Sequence, residues 1–261
     1  MPVAALIAAG ELFGVGENSI RVALTRLRAA CRLERDERGR YRLGAGAEPV
    51  DRLVRSWRDI EERTRPWAGS WVGLHRAGLR RARGATRART QRALRLMGFE
   101  NLLPGMAVRP DNLRGGVEGV RETLADLGLG PALVFQLDDL DQASEARARG
   151  LWDGVELAAG YARSASELAE SEERLAHAEE ADAMVESFLL GGRMIRQLVF
   201  DPLLPEPIVP GEARRGLVVA MKRYDRAGRR AWAGFMKRVG SPHAGAPADT
   251  RGARAAAGLA S

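Results

Sequence analysis

The residues of this chain whose types and spacing could do chemistry lie near its start. Asn18, Ser19, Arg21, Val22, Thr25 and Arg26 are interleaved with Ile20, Ala23, Leu24 and Leu27, which recur at i, i+3, i+4 and i+7. At about 100° per residue that spacing gathers the apolar four on one side of a helix and turns Asn18, Val22 and Thr25 away from it, with Arg21 and Arg26 on the flanks. Such a set suits the edges of base pairs in a major groove: Asn pairs with adenine, Arg with guanine, and the methyls of Val and Thr touch that of thymine. A second basic group follows. Between Leu33 and Leu43 a polar turn around Gly39 separates two short strands, and Arg38 and Arg40 sit at its tip, placed to meet phosphate or a minor groove. Tyr41 and Leu43 alternate with Arg40 and Arg42, the period of two expected of a half-buried ribbon. The plainer reading is an amphipathic helix and a surface hairpin whose arginines are merely solvated. Helix, tight turn and basic hairpin in this order are more specific than any one of them, and they favour double-stranded DNA.

Other residue groups offer less. His75, His177 and His243 are far apart and none has Cys, Asp or Glu at a ligand-like spacing, and no Gly-rich phosphate loop occurs. Asp138, Asp139 and Asp141 follow an apolar run, where carboxylates are favoured at a helix start with or without a metal. Neither a catalytic group nor a resident cofactor or metal is expected. The enzyme alternative is a metal-dependent nuclease, which would need carboxylates converging on a sheet; Trp71-Val72-Gly73-Leu74-His75 offers none. Trp67, Trp71, Trp152 and Tyr161 could line a pocket for an aromatic group, with Arg76, Arg80 or Arg81 meeting phosphates. Core aromatics on a solvated basic surface are the plainer account. Cys31, the single cysteine, precludes an intrachain disulfide, suits a reducing cytoplasm, and is expected as a small buried residue.

Positioning the basic helix requires a turn, supplied by Gly14 and Gly16, a cap from Glu17, Asn18 or Ser19, and a first helix over Val3 to Phe13. These elements make residues 1–45 an N-terminal unit. Val50 to Arg63 has helical spacing and reads as a linker helix within 46–68. For 69–142 we expect strand Trp71 to Gly78, helix Ala85 to Met97, strands Phe99 to Leu102 and Leu103 to Val108, helix Gly116 to Leu127 and strand Pro131 to Leu137. That is a β-α-β-β-α-β, or ferredoxin-like, order. Residues 143–239 read as helical over Glu145 to Leu175, Ala181 to Leu190, Arg193 to Phe200 and Ala213 to Val239, with a break at Gly191-Gly192 and a rigid Asp201 to Pro207 loop. Residues 240–261, rich in Gly, Ala, Pro and Arg, read as a disordered tail.

The formal charge of +7 conceals a division: +10 over residues 1–100, −9 over 101–200 and +6 over 201–261. A basic first part suits a polyanion, and an acidic middle keeps the rest away from it. With 45% hydrophobic residues the chain can bury one large core or several modest ones. No apolar run approaches the roughly 18 residues of a membrane span, so a soluble protein is expected.

Taken in order, these landmarks resemble the PaaX family of bacterial transcriptional regulators, best known as repressors of phenylacetate-degradation genes. The resemblance is carried by Glu17-Asn18-Ser19-Ile20-Arg21-Val22-Ala23-Leu24-Thr25-Arg26-Leu27, Arg40-Tyr41-Arg42-Leu43, Pro66-Trp67-Ala68-Gly69-Ser70-Trp71, Gly98-Phe99-Glu100-Asn101-Leu102-Leu103-Pro104-Gly105, Leu151-Trp152-Asp153 and Asp201-Pro202-Leu203-Leu204-Pro205. It implies an α+β protein with an N-terminal winged helix-turn-helix, a ferredoxin-like middle domain and a helical C-terminal domain. It further implies a homodimer and release from DNA by an acyl-CoA effector such as phenylacetyl-CoA. A regulator of a different pathway is the nearest alternative. The family pattern places a further helix ahead of Val3, and a His and an Arg before the Asp-Pro loop that Arg196-Gln197-Leu198-Val199-Phe200 does not reproduce.

Overall fold

The computed structural model describes residues 1–75, 84–129 and 132–239. These residues combine helices with two small antiparallel sheets, an α+β protein. They form two compact units. The first holds Met1–Pro49, Ser171–Leu189 and residues 224–239; the second holds Val50–Glu170 and Leu190–Arg223.

In the first unit, helix α1 (Val3–Glu11) and helix α2 (Glu17–Ala29) are joined by a tight turn in which Val15 N–H donates to the Gly10 carbonyl. Gly10 lets the two helices touch: a Cβ there would lie 2.7 Å from Ile20 Cδ1. A hairpin follows, β1 (Leu33–Arg35) against β2 (Tyr41–Leu43), with Glu34 opposite Arg42. Its turn is organised by Asp36, whose Oδ1 accepts from Arg38 N at 3.0 Å and Arg40 N at 2.7 Å, an Asx turn that the positive φ of Gly39 completes. The chain start adds to the hairpin, since Pro2 bridges to Arg40 and Tyr41 N–H donates to the Met1 carbonyl.

Three expectations for this unit are corrected. Of the apolar stripe on α2 only Leu24 is buried; Ile20 is half-buried, and Ala23 and Leu27 are exposed, as is Leu43 on the hairpin. A module with so few elements cannot cover a full helix face. The residue capping α2 is Gly16, with no side-chain cap, because the helix begins at Glu17 and places Asn18 and Ser19 inside its first turn. Cys31 is exposed rather than buried. It turns the chain out of α2 with φ +53°, and its carbonyl, not its side chain, is used, accepting from Gly46 N.

The rest of the first unit comes from the distal parts of three long helices, α7 (Gly154–Leu175), α8 (Glu180–Val199) and α9 (Gly211–Arg238). Phe13, beyond α1, meets Phe188 at 5.0 Å between ring centroids, and Phe188 continues to Trp232 at 6.1 Å. Ser171 and Tyr224 hydroxyls share a hydrogen bond of 2.8 Å in the interior. The first of these contacts fastens the N-terminal helices to α8, and the others join the long helices to one another.

The second unit opens with α3 (Glu48–Arg55) and a 3-10 stretch to Arg63, kinked at Asp59, where one linker helix was expected. Trp57 and Ile60 are fully buried there, so packing rather than helical propensity sets the path. The sheet comprises β3 (Trp71–His75), β4 (Glu100–Leu103), β5 (Met106–Pro110) and β6 (Leu133–Leu137) in the order β4-β5-β3-β6, every neighbouring pair antiparallel. Helices α4 (Gly84–Leu96) and α5 (Gly116–Asp126) fill the two crossovers, giving the expected β-α-β-β-α-β order. Central β3 buries Trp71, Val72 and Leu74 to within 1% of full burial, which requires cover on both faces. One face packs Trp71, Leu102 and Val108 against Ala148 of α6 (Gln142–Arg149), with Leu151 and Trp152 beside them.

The helical region differs from its reading at two points. Gly150 to Asp153 interrupts the expected Glu145 to Leu175 helix, dividing α6 from α7. Gly191-Gly192 does not break α8: the cost of about 1 kcal/mol per helical glycine is outweighed by Leu190, Met194 and Leu198, buried along one face. The 240–261 tail and residues 76–78 of the first expected strand lie outside the described residues.

Candidate nucleic-acid interface

Helix α2 turns its polar side outward. Asn18, Ser19, Arg21, Val22, Thr25 and Arg26 are all exposed, Val22 by 50%. Thr25 Oγ1 donates back to the Arg21 carbonyl at 3.0 Å, which occupies its hydroxyl and leaves its methyl facing outward. Arg21 is held by Glu17 at 2.6 Å one turn earlier, an exposed i,i+4 pair that a stronger acceptor exchanges at little cost. Arg26 and Arg28, in the last turn of α2, where its dipole favours cations, have no carboxylate partner among the described residues. On the hairpin, Arg42 is paired with Glu34 at 2.8 Å. Arg38 projects from the tip, exposed and without a carboxylate partner among the described residues, while Arg40 is half-buried beside it. The predicted DNA-contacting residues therefore lie in one unit, and all but half-buried Arg40 are exposed.

The aromatic residues assigned to an effector separate into two places in the second unit. Trp67 meets Trp71 edge-on at 5.1 Å, Trp71 stacks on Trp152 at 6.2 Å, and Arg149 lies over Trp67. Trp71 Nε1 donates to Glu145 Oε2 at 2.8 Å, so this trio ties the sheet to α6 as core. Tyr161 is buried elsewhere, hydrogen-bonded to Asp201. Arg76 and Arg80 lie outside the described residues. Asp141 caps α6, accepting from Ala143 N and Ser144 N at 3.0 and 2.9 Å, and Ser144 holds its carboxyl below the usual range. No group of three His, Cys, Asp or Glu that could hold a metal is found among the described residues.

Sequence reasoning missed a buried polar cluster in the second unit. Arg109, 1% exposed, reaches from β5 to the Met97 carbonyl after α4 and to Asn112 Oδ1 at 2.9 Å. Asn112 Nδ2 in turn donates to the Leu203 carbonyl at 2.7 Å. Asp201 Oδ1 accepts from Leu203 N at 2.7 Å, and Arg214 stands 3.9 Å away. Burial, with the like charge of Arg63, holds the Arg109 pKa down at about 9. Burial pushes the Asp201 carboxyl up despite the opposing pull of Arg214 and the Tyr161 hydroxyl, and burial followed by Asp201 raises Tyr161. Positions 63, 109, 112 and 214 leave no local signal; only Tyr161, noted as a candidate pocket aromatic, and the Asp201-Pro202 motif pointed here.

A pH dependence follows. An acid whose folded pKa is raised contributes stability that is complete below its unfolded pKa and lost as pH climbs through the folded one. Asp201→Asn keeps an acceptor for Leu203 N and has no proton to lose. We expect the variant to gain stability relative to the parent as pH rises above about 4, the ordinary carboxylate range, read by urea denaturation along a pH series; a flat difference means that Asp201 titrates normally.

Residues 152–234 match the family model described as the PaaX-like protein C-terminal domain. This stretch is similar to PaaX-like C-terminal domains. The match supports the PaaX-family resemblance carried by the motifs above. The matched stretch contains Tyr161, Asp201 and Arg214, half of the buried cluster's six positions. The solved structure of the uncharacterized protein Rv0674 from Mycobacterium tuberculosis is similar over 90% of this chain and 91% of that one, with 27% identity and a TM-score of 0.56. No curated protein matches the sequence. No described helix is long and apolar enough to cross a membrane.

Proposed function

We propose that this PaaX-like chain is a DNA-binding transcriptional repressor whose N-terminal helices and hairpin act as a winged helix-turn-helix, beside a ferredoxin-like middle domain and a helical C-terminal one. The observation that carries the reading is the exposed face of α2, with Asn18, Ser19, Arg21, Val22 and Thr25 outward, in one unit with a hairpin whose tip bears Arg38. In this reading Asn18, Arg21 and Thr25 meet base edges, and Arg26, Arg38 and Arg40 meet phosphates. One short helix reads few base pairs, and a homodimer on two half-sites multiplies its selectivity.

The test measures binding to the DNA upstream of the gene as a function of salt. Arg38→Ala should weaken every duplex alike and reduce the log-log salt slope by about 1. Arg21→Ala should lower discrimination at one or two base pairs, by about 1–3 kcal/mol. Unchanged affinity and preference in both variants would overturn the assignment.

The PaaX likeness supports an aromatic-acid catabolic operon such as phenylacetate degradation as the target, in the cytoplasm, with an acyl-CoA as the releasing effector. Adding phenylacetyl-CoA to the protein-DNA complex should displace the DNA, and undiminished complex at saturating ligand would reject that effector.

A further inference from the structure

We infer that the second unit carries a binding site for a small anion bearing two or more phosphate groups, in the groove between α4 and α8. The inference stands on that groove alone and does not depend on the DNA reading. The cavity has a volume of about 520 Å³ and is lined by Gln91, Arg92, Arg95, Arg193, Arg196, Gln197 and Phe200. Its cations come from two helical stripes: Arg92 and Arg95 at i,i+3 on α4, and Arg193 and Arg196 at i,i+3 on α8, with Gln197 and Phe200 continuing the second stripe.

Charge accounting points to an anion. Arg193 is paired with Glu167. Arg92, Arg95 and Arg196 have no carboxylate partner among the described residues, so three guanidiniums of one sign converge on a concave space. Like charges at i,i+3 and across a groove repel, and an oxyanion between them reverses that cost. Guanidinium is also the group whose planar fork matches phosphate oxygens two at a time.

Preorganisation strengthens the case. The guanidiniums of Arg95, from one wall, and Arg196, from the other, each lie 5.6 Å from the centroid of the Phe200 ring. That shared ring restrains two long side chains before any ligand arrives, which lowers the entropy lost on binding. Three unpaired cations match an ion of two to three negative charges, hence more than one phosphate. The volume exceeds that of pyrophosphate and falls within the usual range of small-molecule sites, which leaves room for an organic part. A concave pocket of this size takes a compact ligand; a duplex would need cations spread along a surface.

The experiment is calorimetric titration of the full chain, at low ionic strength, with inorganic pyrophosphate and separately with ADP. Both should bind with saturation, and tighter binding of ADP would show that the organic part is seated. Arg92→Ala and Arg196→Ala should each weaken binding about tenfold or more, and Arg196→Lys, which keeps the charge but loses the fork, should recover only part of it. Unfolding temperature and circular dichroism establish that the variants are folded, and Arg230→Ala, at an exposed position of α9, should leave binding unchanged. Absence of saturation by either ligand, or equal affinity in the Arg92→Ala/Arg196→Ala double variant, overturns the proposal. So does a double variant that loses duplex DNA affinity while the parent binds no pyrophosphate, because the groove would then be a nucleic-acid surface.

Discussion

Replacing Arg109 with methionine should cost the protein about 3–5 kcal/mol of stability, the loss typical when one partner of a buried charged network is removed. The methionine fills most of the volume, so the effect reports polar pairing and not a void. Without the guanidinium, the Met97 carbonyl and Asn112 Oδ1 lose their donor in a dry interior, and Asp111 and Asp201 lose a countercharge. Two terms oppose the loss: the desolvation of Arg109 is recovered, and its repulsion from Arg63 ends. They are outweighed because all three nitrogens of Arg109 are hydrogen-bonded, Nε to the Pro110 carbonyl at 3.0 Å, so little of its penalty is uncompensated. Arg109→Lys, which keeps the charge but not the fork, should fall between the parent and the methionine variant. Urea denaturation measures both, and a loss under about 1 kcal/mol for methionine would show that the network contributes no net stability.

Gly98→Ala is the second large effect, at about 2–4 kcal/mol, from two sources acting at one atom. Gly98 ends α4 with φ +67°, a conformation costly for any side chain. In addition, a Cβ there would lie 2.7 Å from the Pro202 carbonyl oxygen and 2.8 Å from Pro202 Cα, backbone atoms with no rotamer by which to withdraw. Gly105 separates the two sources. Its φ is +88° but nothing lies within 4 Å of its Cβ position, so Gly105→Ala should cost only the conformational part, about 1 kcal/mol. Equal losses in thermal or urea unfolding would mean that the approach of Pro202 to Gly98 is not tight in solution. A displaced Pro202 also moves Leu203, whose backbone is held in the left-handed region by Asp201 and Asn112.

These two residues show how motifs far apart in the chain become one structure. Gly98-Phe99 and Asp201-Pro202 were separate landmarks of the PaaX resemblance, more than a hundred positions apart. In the folded chain they touch, and Arg109 and Asn112 bind the carbonyls on either side of their contact. These two landmarks mark close backbone approach and buried charge.

What could be read from the sequence alone was whatever local periodicity encodes. The spacing of Ile20, Leu24 and their neighbours located α2 and its outward polar side, Gly39 between alternating residues located the hairpin, and the β-α-β-β-α-β order came from apolar runs separated by breakers. Local pattern was silent wherever the deciding energy came from partners distant in the chain. Gly191-Gly192 looked like a break, yet buried neighbours keep α8 continuous; Cys31 looked like core, yet the turn out of α2 exposes it. The tryptophans at 67, 71 and 152 could be read either as core or as the lining of a pocket, and only the fold shows them packed together between the sheet and α6. The arginine groove between α4 and α8 has no sequence signature at all, because a helical stripe of arginine reads as solvated until a second stripe is seen to face it. Burial and charge convergence are properties of three-dimensional neighbours, and only the tertiary structure supplies those.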